Sequence, residues 1–236
     1  MIPPMSRAKR VTLVALAGVV VAAAALSTAL VLGGGQTGTN SRPGTAASAQ
    51  PSGLSDLRAF DLPTTTQARL SIGVVAGGGG DVTSVSQLSS SAAVKNANTS
   101  HGFLGEHTVT YAATGLDPAN PEAWPVRASG AFLTGLDLFP SAADATAMAL
   151  VHRDDLVGTG FQVVPIAPIG PGESIVQQVP AGSTLLTTIV NIARGPVLIR
   201  VASSCHSCPA GTVPDAVTAF VKAQVDLAVL QGLPSG

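Results

Sequence analysis

The sequence predicts an α+β fold for residues 54–236, an antiparallel sheet packed with helices, preceded by an N-terminal transmembrane helix and a flexible tether. Three observations predict it. Alternating or β-branched runs crowd the second half of the chain, HTVTYAAT (107–114) and the pair STLLTTIVNIA and PVLIRVAS (183–193 and 196–203) being the plainest. Two stretches with helical character, opening at Ser141 and Pro214, interrupt and then close that series. The resulting order of strands, helix, strands, hairpin and helix belongs to helices laid on an antiparallel sheet.

At the N-terminus, Arg7, Lys9 and Arg10 precede the uncharged run VTLVALAGVVVAAAALSTALVLGGG (11–35). At about 1.5 Å per residue, Val11 to Leu32 reaches about 33 Å, enough for a hydrocarbon core of about 30 Å. Basic residues ahead of the run keep the N-terminus inside and send the rest of the chain out. The expected division is a cytoplasmic tail (1–10), a transmembrane anchor or signal sequence (11–33), a disordered linker (34–53) and an extracytoplasmic domain (54–236). The linker, rich in Gly, Ser, Thr, Pro and Ala, has no apolar period. Ser27-Thr28-Ala29 and Ala47-Ser48-Ala49 resemble cleavage sites, so a secreted form stays open beside a single-pass protein of the cell membrane. No cysteine lies near enough to carry a lipid.

Within the domain, residues 54–70 suit a short helix or a strand around TTTQARLSIGVV (64–75). The glycine run 77–80 reads as a flexible turn, and Val82 to Ser100 as a Ser-rich loop with one helical turn. Strands are expected at 107–114 and within PVRASGAFLTGLDLF (125–139). Ser141 is an N-cap and Asp144 completes a capping-box variant, opening a helix through Val151. FQVVPIAPI (161–169) contains prolines that suit only an edge strand, and SIVQQV (174–179) follows as another. The two runs around Arg194-Gly195 form a hairpin. In the closing helix (214–230), Val217, Phe220, Val221, Leu227 and Ala228 share one face, which Gln224 interrupts.

From LDLFPSAADATAMAL through RGPVLIRVASS to DAVTAFVKAQVDLA, over residues 105–231, the chain resembles the small extracytoplasmic sensor-like domains of actinobacterial membrane proteins, with the Mog1/PsbP-like α+β fold. That resemblance implies binding, sensing or partner interaction, and brings no catalytic residues with it.

Chemistry is sparse. Charged residues make up 11% of the chain and hydrophobic ones 46%. Beyond the N-terminal cluster the balance is acidic, with no basic surface for nucleic acid. Glycines 77–80 lack the spacing of a phosphate loop, and no G-x-S-x-G elbow occurs. Cys205 and Cys208, the only cysteines, are expected to form a disulfide outside the cell, stapling the exit from the hairpin. A thiol–disulfide exchange pair is the alternative, with His206 between the two sulfurs. HGFLGEH (101–107) and HRDD (152–155) bring histidines beside acids but supply no converging ligand set, so solvated side chains and a polar helix end are expected there. Trp124 either packs on the core or lines a groove.

These readings name no catalytic residue, metal ligand or cofactor. They point to a membrane-anchored domain that binds a small ligand or an envelope protein, with the concave sheet face as the default site. An envelope thiol–disulfide protein and a structural or assembly protein are the alternatives.

Overall fold

A computed structural model describes residue 51 and residues 53–164 and 174–234. The expected tail and anchor, nearly all the linker, and residues 165–169 of the predicted edge strand lie outside them. Among the described residues no helix is long and apolar enough to cross a membrane.

Among the described residues seven strands make one antiparallel sheet: β1 (Ile72–Val82), β2 (Gly105–Ala113), β3 (Ser129–Leu138), β4 (Gln162–Val163), β5 (Ser174–Gln178), β6 (Leu185–Arg194) and β7 (Val197–His206). Their order across the sheet is β1-β2-β3-β7-β6-β5-β4. The helices are α1 (Leu54–Leu57), α2 (Thr64–Leu70), α3 (Ala92–Ser100), α4 (Ala142–Gly158) and α5 (Asp215–Leu230). Side chains of a strand point alternately to its two faces, and both faces here are used. Val197, Ile199 and Val201 of β7 join Leu136, Val190, Phe220 and Val221 in the larger core, beneath α5. Leu198 instead meets Ala145, Met148 and Ala149 of α4, with Val94 of α3, in a smaller core on the opposite face. Phe220 stacks on Phe132 with ring centroids 4.7 Å apart and meets Tyr111 edge-on at 5.5 Å.

Both predicted helices form, and each has a local cause. Ser141 accepts a hydrogen bond from the Asp144 backbone N–H at 3.2 Å and donates one to its carboxylate at 2.6 Å. Nothing stops α4 at Val151, and it runs on to Gly158. In α5 the polar interruption is a tie: Gln224 is fully buried, and its amide donates to the Phe60 carbonyl at 2.7 Å. That bond fastens the segment ahead of α2 to the closing helix.

Corrections concentrate in the first third. Of the two readings for residues 54–70 the helical one holds over most of their length, and the strand begins only at Ile72. The glycine run lies inside β1. Val74 pairs with Tyr111 and Gly79 with Val109, so residues 75–78 stand opposite Thr110 alone, a bulge. Gly77 takes φ +70, and a Cβ on Gly79 would stand 2.2 Å from the Thr108 carbonyl oxygen. A left-handed φ at Gly77 and close backbone approach at Gly79, not flexibility, account for these two glycines. In place of the expected loop, Ser91 caps a full helix, α3, by accepting from the Val94 N–H. The hairpin turn is Gly195-Pro196, one residue later than expected, since Arg194 pairs with Val197 and Gly195 has φ +52. The predicted strand at 161–169 retains only β4 among its described residues, at the sheet edge as its prolines required.

Candidate functional site

The cysteine pair forms a disulfide, with Cα atoms 5.7 Å apart. Its setting differs from the expected loop beyond the strand. Cys205 lies in β7, buried in register opposite Leu186 of β6, and Cys208 is half-exposed just past the strand end. His206, between them, donates through Nδ1 to the Trp124 carbonyl. The backbones join as well, Arg127 N–H to the His206 carbonyl at 2.7 Å and His206 N–H to the Ala128 carbonyl at 3.0 Å. The loop 121–128 is therefore held against the disulfide segment. Trp124 itself is buried and packs on Gly130, where a Cβ would come 2.4 Å from its ring. Its indole N–H donates to the Asp117 carbonyl at 2.7 Å. Packing, as one of the two sequence readings held, is its role. No helix begins at the disulfide; α5 starts only at Asp215.

A second centre was not foreseen. On the face that carries α4, the sheet sets Glu106 of β2 beside Asp137 of β3, and Arg200 of β7 reaches both. Arg200 Nε and Nη2 donate to the two Asp137 oxygens at 2.8 and 3.0 Å, and Nη2 also donates to Glu106. Gly135, the register partner of Arg200, leaves the passage open: a Cβ there would stand 3.0 Å from Nη2. From α4, His152 places Nε2 3.9 Å from Asp137. Asn191, the partner of Arg200 on β6, is fully buried and donates to Ser174 at 3.3 Å.

Burial dominates the electrostatics of this cluster. It pushes Glu106 up to about 7, with the Asp137 charge adding to the rise and Arg200 opposing it. Asp137 is raised by burial too, against the pull of Arg200. Burial, helped by the Arg200 charge, lowers His152 to about 3, so it is a neutral imidazole at physiological pH. Desolvation works against the Arg200 cation, but both carboxylates outweigh it and raise its pKa. The centre is thus an internally neutralised set whose Arg200 side chain is 25% exposed to solvent.

Next to it the sheet is open. One row over, Thr110, Leu133, Ala202 and Ile189 stand in register across β2, β3, β7 and β6, all half-exposed. Ser204 and Thr187 continue the surface in the following row. A shallow patch of small apolar and hydroxyl groups, with Arg200 at one margin, is what this face offers a partner.

The histidine motifs also behave differently from expectation. His107 is buried, gripped between Asp61 and Asp81, and His101 pairs with Asp144 at 3.0 Å. HRDD is not the expected polar helix end but lies inside α4: His152 faces inward, Arg153 pairs with the exposed Asp154, and Asp155 accepts from Ser91. Among the described residues no group of His, Cys, Asp or Glu is arranged to hold a metal ion. The signal that could have found the buried centre is a lone charge in an apolar strand: Arg200 within PVLIRVAS and Asp137 within FLTGLDLF. Such a charge needs a buried partner of opposite sign.

No protein-family model and no curated protein matches the chain. Among solved structures the chain is similar to the extracellular domain of PknH from Mycobacterium tuberculosis, at 13% identity and a TM-score of 0.47, over 76% of this chain and 98% of that one.

Proposed function

We propose that residues 54–236 are a non-catalytic recognition domain of the cell envelope, carried outside the membrane by the N-terminal anchor, which takes a small ligand or a protein segment on the open rows of the α4-side sheet face. The observation supporting this is the half-covered face itself. Leu133 and Ile189 are half-exposed near the middle of the sheet, and a rigidly held charge centre places the partly exposed Arg200 side chain at their margin. Arg200, already saturated on one side by carboxylates, is preorganised and loses little freedom on contact. A fragment library screened by NMR against the full chain tests the reading. Hits should shift resonances of 131–133, 187–189 and 202–204, and should vanish in the Leu133→Glu/Ile189→Glu variant. Hits confined to other surfaces, or unaffected by that variant, would sink it.

A second reading uses the disulfide. Cys208 is half-exposed while Cys205 is buried, which leaves one sulfur open to an incoming thiolate. Equilibration of the full chain with a thiol buffer separates the two readings. A potential below about −300 mV marks a structural staple, and one between about −120 and −230 mV an exchange pair.

A further inference from the structure

We propose that His107 is a proton-operated clamp that fastens the stretch entering the domain, residues 58–62, to the end of β1, and loosens it when the imidazole loses its proton. The geometry alone demands the proton. Nδ1 lies 2.6 Å from Asp81 Oδ1, and Nε2 lies 3.0 Å from Asp61 Oδ1. A neutral imidazole has one N–H and one lone pair. Facing two carboxylates, it satisfies one and turns a lone pair against the other; the imidazolium donates to both. With both ring nitrogens engaged on opposite sides, the arrangement cannot converge on a metal ion.

The charged groups around the ring come from three places. Asp61 follows the short 3-10 turn Arg58–Phe60, and Arg58 in that turn donates to Asp81 at 2.6 Å. Asp81 comes from β1, where it is the register partner of His107. Glu106 is the chain neighbour on β2, directed to the opposite face and bound to Arg200. On the β3 side the partner is the apolar Leu136. With the proton in place, His107 and Arg58 balance Asp61 and Asp81; without it, the group carries a net negative charge.

The titration has the sign this predicts. Burial works to lower the His107 pKa, but the hydrogen bonds and charges of Asp61 and Asp81 raise it above its ordinary value. A raised histidine stabilises the folded arrangement fully below its unfolded pKa, about 6.5, and that contribution is lost as pH rises through the folded value. The clamp is therefore shut in mild acid and slackens toward alkaline pH. It acts on the entering stretch because Asp61 and Arg58 both belong there, while Leu57, Phe60 and Leu62 keep that stretch in the core when the clamp is open. The change expected is in local mobility, not global unfolding.

Exchange mass spectrometry on the full chain tests this. Exchange at the histidine C2 position should return a His107 pKa above 6.5. Backbone amides of 58–62 and 80–82, corrected for intrinsic rates, should lose protection severalfold as pH passes that value, while α4 amides do not. A His107 pKa at or below 6.5, or flat protection at both segments, overturns the clamp. His107→Gln should leave both segments weakly protected at every pH. Should that variant fail to fold, Asp61→Asn should lower the His107 pKa, and an unchanged value would overturn the proposal equally.

Discussion

Replacing Arg200 with methionine would strand Asp137, fully enclosed, and Glu106, nearly so, beside each other with no cation between them. Removing one partner of a buried ion pair costs about 3–5 kcal/mol, and urea melts of Arg200→Met should show a loss of that size. Glu106→Gln should cost far less at neutral pH, because burial has already pushed Glu106 up to about 7. Since the folded protein holds that proton more tightly than the unfolded chain, wild-type Glu106 makes stability fall as pH rises from about 4.5 toward 7. The glutamine variant should lose that slope. His152 acts in the opposite sense. Its pKa of about 3 in the fold means acid must protonate it on unfolding, so stability falls as pH drops from about 6.5 toward 3. His152→Leu should flatten the acid limb of a melting-temperature profile. Glu106, Asp137 and Arg200 were not legible as a group, because β2, β3 and β7 meet only through the sheet order.

Secondary-structure elements were legible where their signals were local. Ser141 with Asp144, the paired β-branched runs, and the apolar stripe of α5 each specify their element within a few residues. The first third resisted because its structure is set by tertiary contacts. β1 has glycines where a strand normally has β-branched side chains, and at Gly79 the reason is the Thr108 backbone lying against it. Gly79→Ala should therefore destabilise by about 1–3 kcal/mol, the usual cost of overpacking. Gly80→Ala, with nothing within 4 Å of its Cβ position, should change stability little. Equal costs for the two, measured by thermal melts, would contradict the close-approach account of β1. The short α3 was hidden for a related reason: its sequence is Ser- and Asn-rich, and Ser91 holds its first turn while Val94 reaches the smaller core.

At the scale of the molecule, the sheet order has a kinetic consequence. β1, β2 and β3 pair with their chain neighbours, and so do β4, β5, β6 and β7. Only the β3–β7 junction joins the two meanders, across everything between Leu138 and Val197. Local hairpins form in about 1–10 μs, whereas closing a long loop must be completed before its contacts reward it. The slow step in folding is therefore expected to be the docking of one meander on the other, in the register that pairs Arg200 with Asp137. Val201→Ala, at the centre of that junction, should slow refolding in stopped-flow experiments. Ile72→Ala, at the outer edge, should chiefly accelerate unfolding. A molecule assembled in this way has one long-range zipper to close, and the local pairing within each meander is expected to precede it.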